Sequence, residues 1–118
     1  MLVNSSLTVY HKVEIDHDYK WVRYNYGDKS NNKVWFYGGK GASLNKGLEN
    51  ANDCQIRIPY DINSNLDYKN FSQGDILIPN YITSDITSEE DIQDEYYNIT
   101  SLNNNIFGNN KHIHIGGK

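Results

Sequence analysis

Cysteine is almost missing from this chain: Cys54 stands alone, so no intrachain disulfide can form and a reducing compartment fits best. Proline is nearly as scarce, with Pro59 and Pro79 closing two short apolar runs. No run of Lys and Arg occurs and the formal net charge is −4, which argues against a protein that grips nucleic acid by neutralising phosphates. Nowhere does an apolar stretch approach the roughly 18 residues of a membrane span. The opening MLVNSSLTVYHK lacks the basic and apolar regions of a secretion signal, so a soluble, unprocessed chain is expected. Without such a signal, the Asn-x-Ser/Thr triplets beginning at Asn4, Asn70 and Asn98 carry no weight. Also missing are a Gly-x-Ser-x-Gly elbow, a Cys/His pair and an HExxH pair, and no enzyme is expected.

What is present fits one domain spanning residues 1–118. Hydrophobic residues make up 37% of the chain, too many for a disordered polymer but few for a free-standing core, so neighbours are expected to complete part of the surface. Ten tyrosines, two tryptophans and three phenylalanines supply apolar area with polar tips, a chemistry suited to half-buried strands and interfaces.

Alternation of apolar and polar residues marks short strands at Leu7 to His11, continued by Val13 and Ile15, and at Tyr19 to Tyr26, Val34 to Tyr37, Asp53 to Pro59, Ile76 to Ile78, Tyr96 to Leu102 and His112 to Ile115. Gly27 to Lys33 and Asn103 to Lys111 read as turns, and Tyr60 to Gln73 as irregular. Cys54, Ile56 and Ile58 share a strand face and are expected to be buried. One short helix is expected at about 87–95, where Ser88 and Asp91 have capping-box spacing and Glu89 and Glu90 suit the positive end of the helix dipole. Between Gly38 and Asn52 the chain has four glycines and no β-branched residue, so it reads as a long mobile loop. The fold class is therefore mainly β: a small β-barrel or sandwich with a long Gly-rich loop at 38–52 and one short helix.

Three constellations bear on chemistry. His112 and His114 project from one strand face, yet a zinc site needs three or four ligands and His11 and His17 are remote in sequence; the simpler reading turns Ile113 and Ile115 to the core and the histidines to water. Gly38 to Ser43 has glycines and a lysine but not the order of a phosphate loop. The acidic group Asp85, Glu89, Glu90, Asp91, Asp94 and Glu95 lacks the EF-hand pattern and reads as a solvated helix face. No metal or cofactor is expected.

The order of features in the C-terminal half has a counterpart in a known family: Gly74-Asp75-Ile76-Leu77-Ile78, an acidic segment, Tyr97-Asn98-Ile99-Thr100-Ser101-Leu102, an Asn-rich turn ending in Phe107-Gly108, and His112-Ile113-His114-Ile115-Gly116-Gly117-Lys118. Leu7-Thr8-Val9-Tyr10, Trp21, Trp35 and Ile56-Arg57-Ile58-Pro59 extend the likeness to the N-terminal half. In these features the chain resembles the head-completion proteins of phages and prophages of Gram-positive bacteria, also described as head-closure, stopper, minor capsid or head-tail connector proteins. The resemblance implies a β-barrel whose copies form a sixfold or twelvefold ring at the neck of the virion, between the portal or adaptor protein and the tail terminator or tail completion protein. Such a ring closes the head, retains DNA and docks the tail; packaged DNA passes through without sequence-specific binding, and no membrane is involved. Assembly would take place in the host cytoplasm. On this reading the channel-loop candidates are Gly38, Gly39, Lys40, Gly41, Ser43, Asn45 and Lys46, and the interface candidates are Trp21, Trp35, Tyr81, Tyr96, His112 and His114. The alternatives are a structural component of a tail or tail-like particle, or a carbohydrate-binding module that stacks sugars on Trp and Tyr beside Asn and Asp.

Overall fold

The computed structural model describes residues 2–38 and 53–118. Seven strands form one antiparallel sheet: β1 (Leu7–Ile15), β2 (Asp18–Tyr26), β3 (Trp35–Gly38), β4 (Cys54–Pro59), β5 (Ile76–Ile78), β6 (Tyr97–Asn105) and β7 (His112–Gly117), in the order β2-β1-β5-β6-β7-β4-β3. The mainly β expectation holds. The sheet folds over its main core but is not closed into a barrel; among the described residues one bridge, Ser5 to Val34, joins the segment ahead of β1 to the head of β3.

Period-two alternation explains how the core is shared. Leu7, Val9 and Leu77 from one half of the sheet meet Ile56, Ile58, Ile113 and Ile115 from the other in one buried cluster. Cys54 belongs to that cluster, as expected. The reverse side of the first half carries Tyr10, Ile76 and Ile78, and these form a second cluster with Ile86, against which Trp21, Ile82, Ile92 and Tyr96 pack. Strand β5 is therefore buried on both faces, which is why it reads as an uninterrupted apolar triplet instead of an alternating one.

One turn and one long connection show how side chains set the chain path. Gly27 has a φ of +87°, and a Cβ there would lie 2.6 Å from the carbonyl oxygen of Asn31, so only glycine fits. The following Asp28 carboxylate accepts from the amides of Ser30 and Asn31, which holds its pKa below the usual carboxylate value. Residues 60–75 cap one end of the core with Leu66 and Phe71, the latter stacked on Tyr26 at 5.9 Å.

The expected helix at 87–95 is replaced by extended chain with one 3-10 turn at Glu89–Asp91, and no α-helix occurs among the described residues. The capping contacts do form: the Asp91 carboxylate accepts from the amides of Thr87 and Ser88 and from the Thr87 hydroxyl. Propagation fails because Ile86 and Ile92 are the only apolar residues available, too few for a helical stripe. Both isoleucines instead pin the segment to the outer side of β1 and β5. The turn expected at Asn103 to Lys111 is shorter than its sequence suggests, since β6 continues to Asn105 in register with His112. Of the channel-loop candidates, Gly38 ends β3 opposite Cys54, while Gly39, Lys40, Gly41, Ser43, Asn45 and Lys46 lie outside the described residues.

Candidate interaction surfaces

The outer side of β3, β4, β7 and β6 gathers residues far apart in sequence. Register places Trp35 opposite Arg57, Arg57 opposite His114, and His114 opposite Asn103, so one row crosses four strands. Strand periodicity sets Tyr37 on the same side as Trp35, and the two rings lie 5.9 Å apart with planes within 6° of parallel. The Arg57 guanidinium covers the Trp35 ring at 4.7 Å, a cation–π contact that leaves its N–H edge without an acceptor among the described residues.

The histidines on this face are held by neutral partners. His112 faces the Asn110 carbonyl with Nδ1 at 2.7 Å, so that nitrogen donates and Nε2 accepts from the Asn105 amide at 3.1 Å. His114 places Nε2 3.2 Å from Gln55 Oε1. Burial pushes its pKa below the ordinary histidine value, and the charges of Arg57 and His112 push in the same direction. The expectation that Ile113 and Ile115 turn inward while the histidines turn outward holds. Among the described residues, no three His, Cys, Asp or Glu side chains converge as a metal-ligand set.

A second surface is the β1–β2 hairpin. Its register runs from Leu7 opposite Tyr26 to Ile15 opposite Asp18, joined by Asp16 and His17 with φ of 48° and 69°, the paired left-handed values of a type I′ turn. Strand β5 accompanies β1 only from Thr8 to Tyr10, so the rest of the hairpin projects as an arm. Asp75 fastens its root: the carboxylate accepts from His11 Nδ1 at 2.6 Å and from the Lys12 amide at 3.1 Å. On one side of the arm, Lys12 lies 3.9 Å above the Tyr19 ring, and Tyr19 meets Trp21 edge to face.

The sheet's two edges differ. At β3, the side-chain amide of Asn4 donates to the Phe36 carbonyl and accepts from its N–H, taking the place of a neighbouring strand. At β2, the turn geometry directs the backbone groups of Trp21 and Arg23 away from β1, and no described residue bonds to them.

The interface candidates therefore divide. Trp35, His112 and His114 come together on the outer face, Trp21 lies on the arm, and Tyr96 packs against the second cluster. Tyr81 is half-buried beside Asn80, whose side chain accepts from its amide. Sequence reading missed Arg57 and Tyr37 on this face, although each alternates with a buried or half-buried apolar neighbour, and it missed the Asp16-His17 turn.

The acidic segment from Asp85 to Glu95 is on the opposite side of the molecule, because it covers the outward side of β1 and β5. Arg23 bridges Asp85 at 2.6 Å, and Asn98 reaches Glu89 at 3.3 Å. Glu90 and Asp94 are exposed, with no partner among the described residues.

No curated protein and no solved structure matches this chain. A family model does match it over residues 2–118, and the chain belongs to that family, a family of unknown function designated DUF6751.

Proposed function

We propose that this chain is a structural virion protein that forms a ring at a phage neck, between the portal or adaptor protein and the tail, and has no catalytic role. The carrying observation is the projecting hairpin with an open β2 edge, because a sheet edge with free backbone groups is a surface for adding another chain. The resemblance, which extends over both halves of the chain, and the lean apolar content of 37% point the same way. Electron microscopy of particles from the native source tests the reading. A ring of this chain at the neck is the expected result, and its absence there would overturn it.

A carbohydrate-binding module is the second reading, favoured by the nearly parallel Trp35 and Tyr37 rings beside Arg57 and Gln55. It requires saturable quenching of tryptophan fluorescence by added sugars.

A further inference from the structure

Charge is segregated along this chain. Between Lys69 and Lys111 there is no Lys, Arg or His, and Asp85, Glu89, Glu90, Asp91, Asp94 and Glu95 all fall inside that interval. The opposite face of the molecule shows the complementary pattern. The row Trp35, Arg57, His114 and Asn103 and the neighbouring pair His112 and Asn105 contain no carboxylate; the nearest one along β4, Asp53, stands just before its first residue. Among the described residues each surface also holds unspent capacity: Arg57 has a guanidinium edge without an acceptor, and Glu90 and Asp94 have no donor.

We infer that copies of this chain join head to tail, the 85–95 segment of one copy seated on the Trp35, Arg57 and His114 face of the next. This deepens the ring reading above and rests on it. The two surfaces point away from a common core, so the contact is heterologous: each copy offers one surface of each kind, and repetition gives a closed ring or an open filament. Arg57 is suited to the central role because its fork can take a carboxylate from Glu90 or Asp94 while its flat side stays on Trp35. His114 lies within hydrogen-bonding distance of Gln55 and burial disfavours its cation, so it serves as a hydrogen-bonding neighbour while Arg57 is the fixed charge. Approach of the two surfaces is favoured by their opposite potentials and weakened by salt.

A charge-exchange experiment with the full chain tests this, read by sedimentation velocity and native mass spectrometry with circular dichroism to verify folding. One variant carries Arg57→Glu; the other carries Glu90→Lys with Asp94→Lys. Each alone places like charges across the contact and is expected to associate at least about tenfold more weakly than the native chain. Mixed together, the acidic face of the first meets the basic segment of the second, and the native face of the second meets the native segment of the first, so association returns as alternating copies. The inference is overturned if the native chain stays monomeric in low salt at the highest attainable concentration, if either variant associates as the native chain does, or if the folded mixture does not recover. The ring reading is judged separately: particles built with Arg57→Glu that keep the neck ring would overturn these faces alone, whereas charge-exchange recovery with no chain at the neck would overturn the connector role and keep the faces.

Discussion

The carboxylate of Asp75 and the imidazole of His11 meet at 2.6 Å where the hairpin leaves the sheet, with the Asp75 side chain only 1% exposed. Facing a carboxylate, His11 Nδ1 is the donor, and the Lys12 and Ser72 amides complete the acceptor's shell at 3.1 and 2.8 Å. One side chain therefore ties β1, the arm and the 72–75 turn together.

Removing it should loosen the arm and the fold together. Asp75→Ala leaves three donors without an acceptor, and we expect a loss of about 3 kcal/mol in urea unfolding, within the range for a buried charged hydrogen-bond partner. Asp75→Asn, which keeps an acceptor oxygen, should lose less. Equal stability of Asp75→Ala and the native chain would refute the clamp.

The Tyr26 hydroxyl is buried without a partner among the described residues, and burial raises its pKa strongly. Its ring is needed against Phe71, but its oxygen is a desolvated polar atom that returns nothing. Tyr26→Phe should stabilise the protein by about 1 kcal/mol, measured as a higher urea midpoint with an unchanged m-value. A loss of stability would mean that the hydroxyl has a partner.

His114 should titrate below the ordinary value of 6.5 when followed by NMR, because burial and then Arg57 disfavour its cation. The sign follows from linkage: the unfolded chain takes up this proton more readily, so the contribution of His114 to stability is complete above pH 6.5 and declines as pH falls towards its lower folded midpoint. Arg57→Gln removes one of the opposing charges and should move the midpoint upward. An unchanged midpoint would leave burial and His112 as the causes.

In the hairpin, Asp16 and His17 both occupy left-handed backbone conformations that suit Asn and Gly better. Replacing the pair with Asn-Gly should stabilise the fold by about 1 kcal/mol and slow amide exchange at Val13 and Lys20, which pair across the arm. Unchanged exchange there would show that the turn does not limit the arm's opening.

Much of the strand pattern was legible because a half-buried strand writes its orientation into alternate residues: Ile56 and Ile58 against Arg57, Ile113 and Ile115 against His114. The helix expected at 87–95 shows the limit of local signals, since its capping contacts exist without an apolar stripe to extend them. Asp16-His17 escaped notice because neither residue is the usual one for its turn. The outer face was partly visible: Trp35, His112 and His114 could be chosen by residue type. That they converge on Arg57 depends on pairings between strands far apart in sequence, Arg57 with His114 above all, and no local pattern encodes those.

Asn4 occupies the β3 margin at Phe36, and Asn65 takes the Asn25 carbonyl on the β2 margin, which leaves the backbone groups of Trp21 and Arg23 unpaired there among the described residues. A second copy that lays its own β2 margin against these groups uses up those of both, so pairing through this margin stops at two. Repetition beyond two copies then falls to the broad sides, where geometry can count its members and stop, and the β2 margin is left for a strand of a different chain.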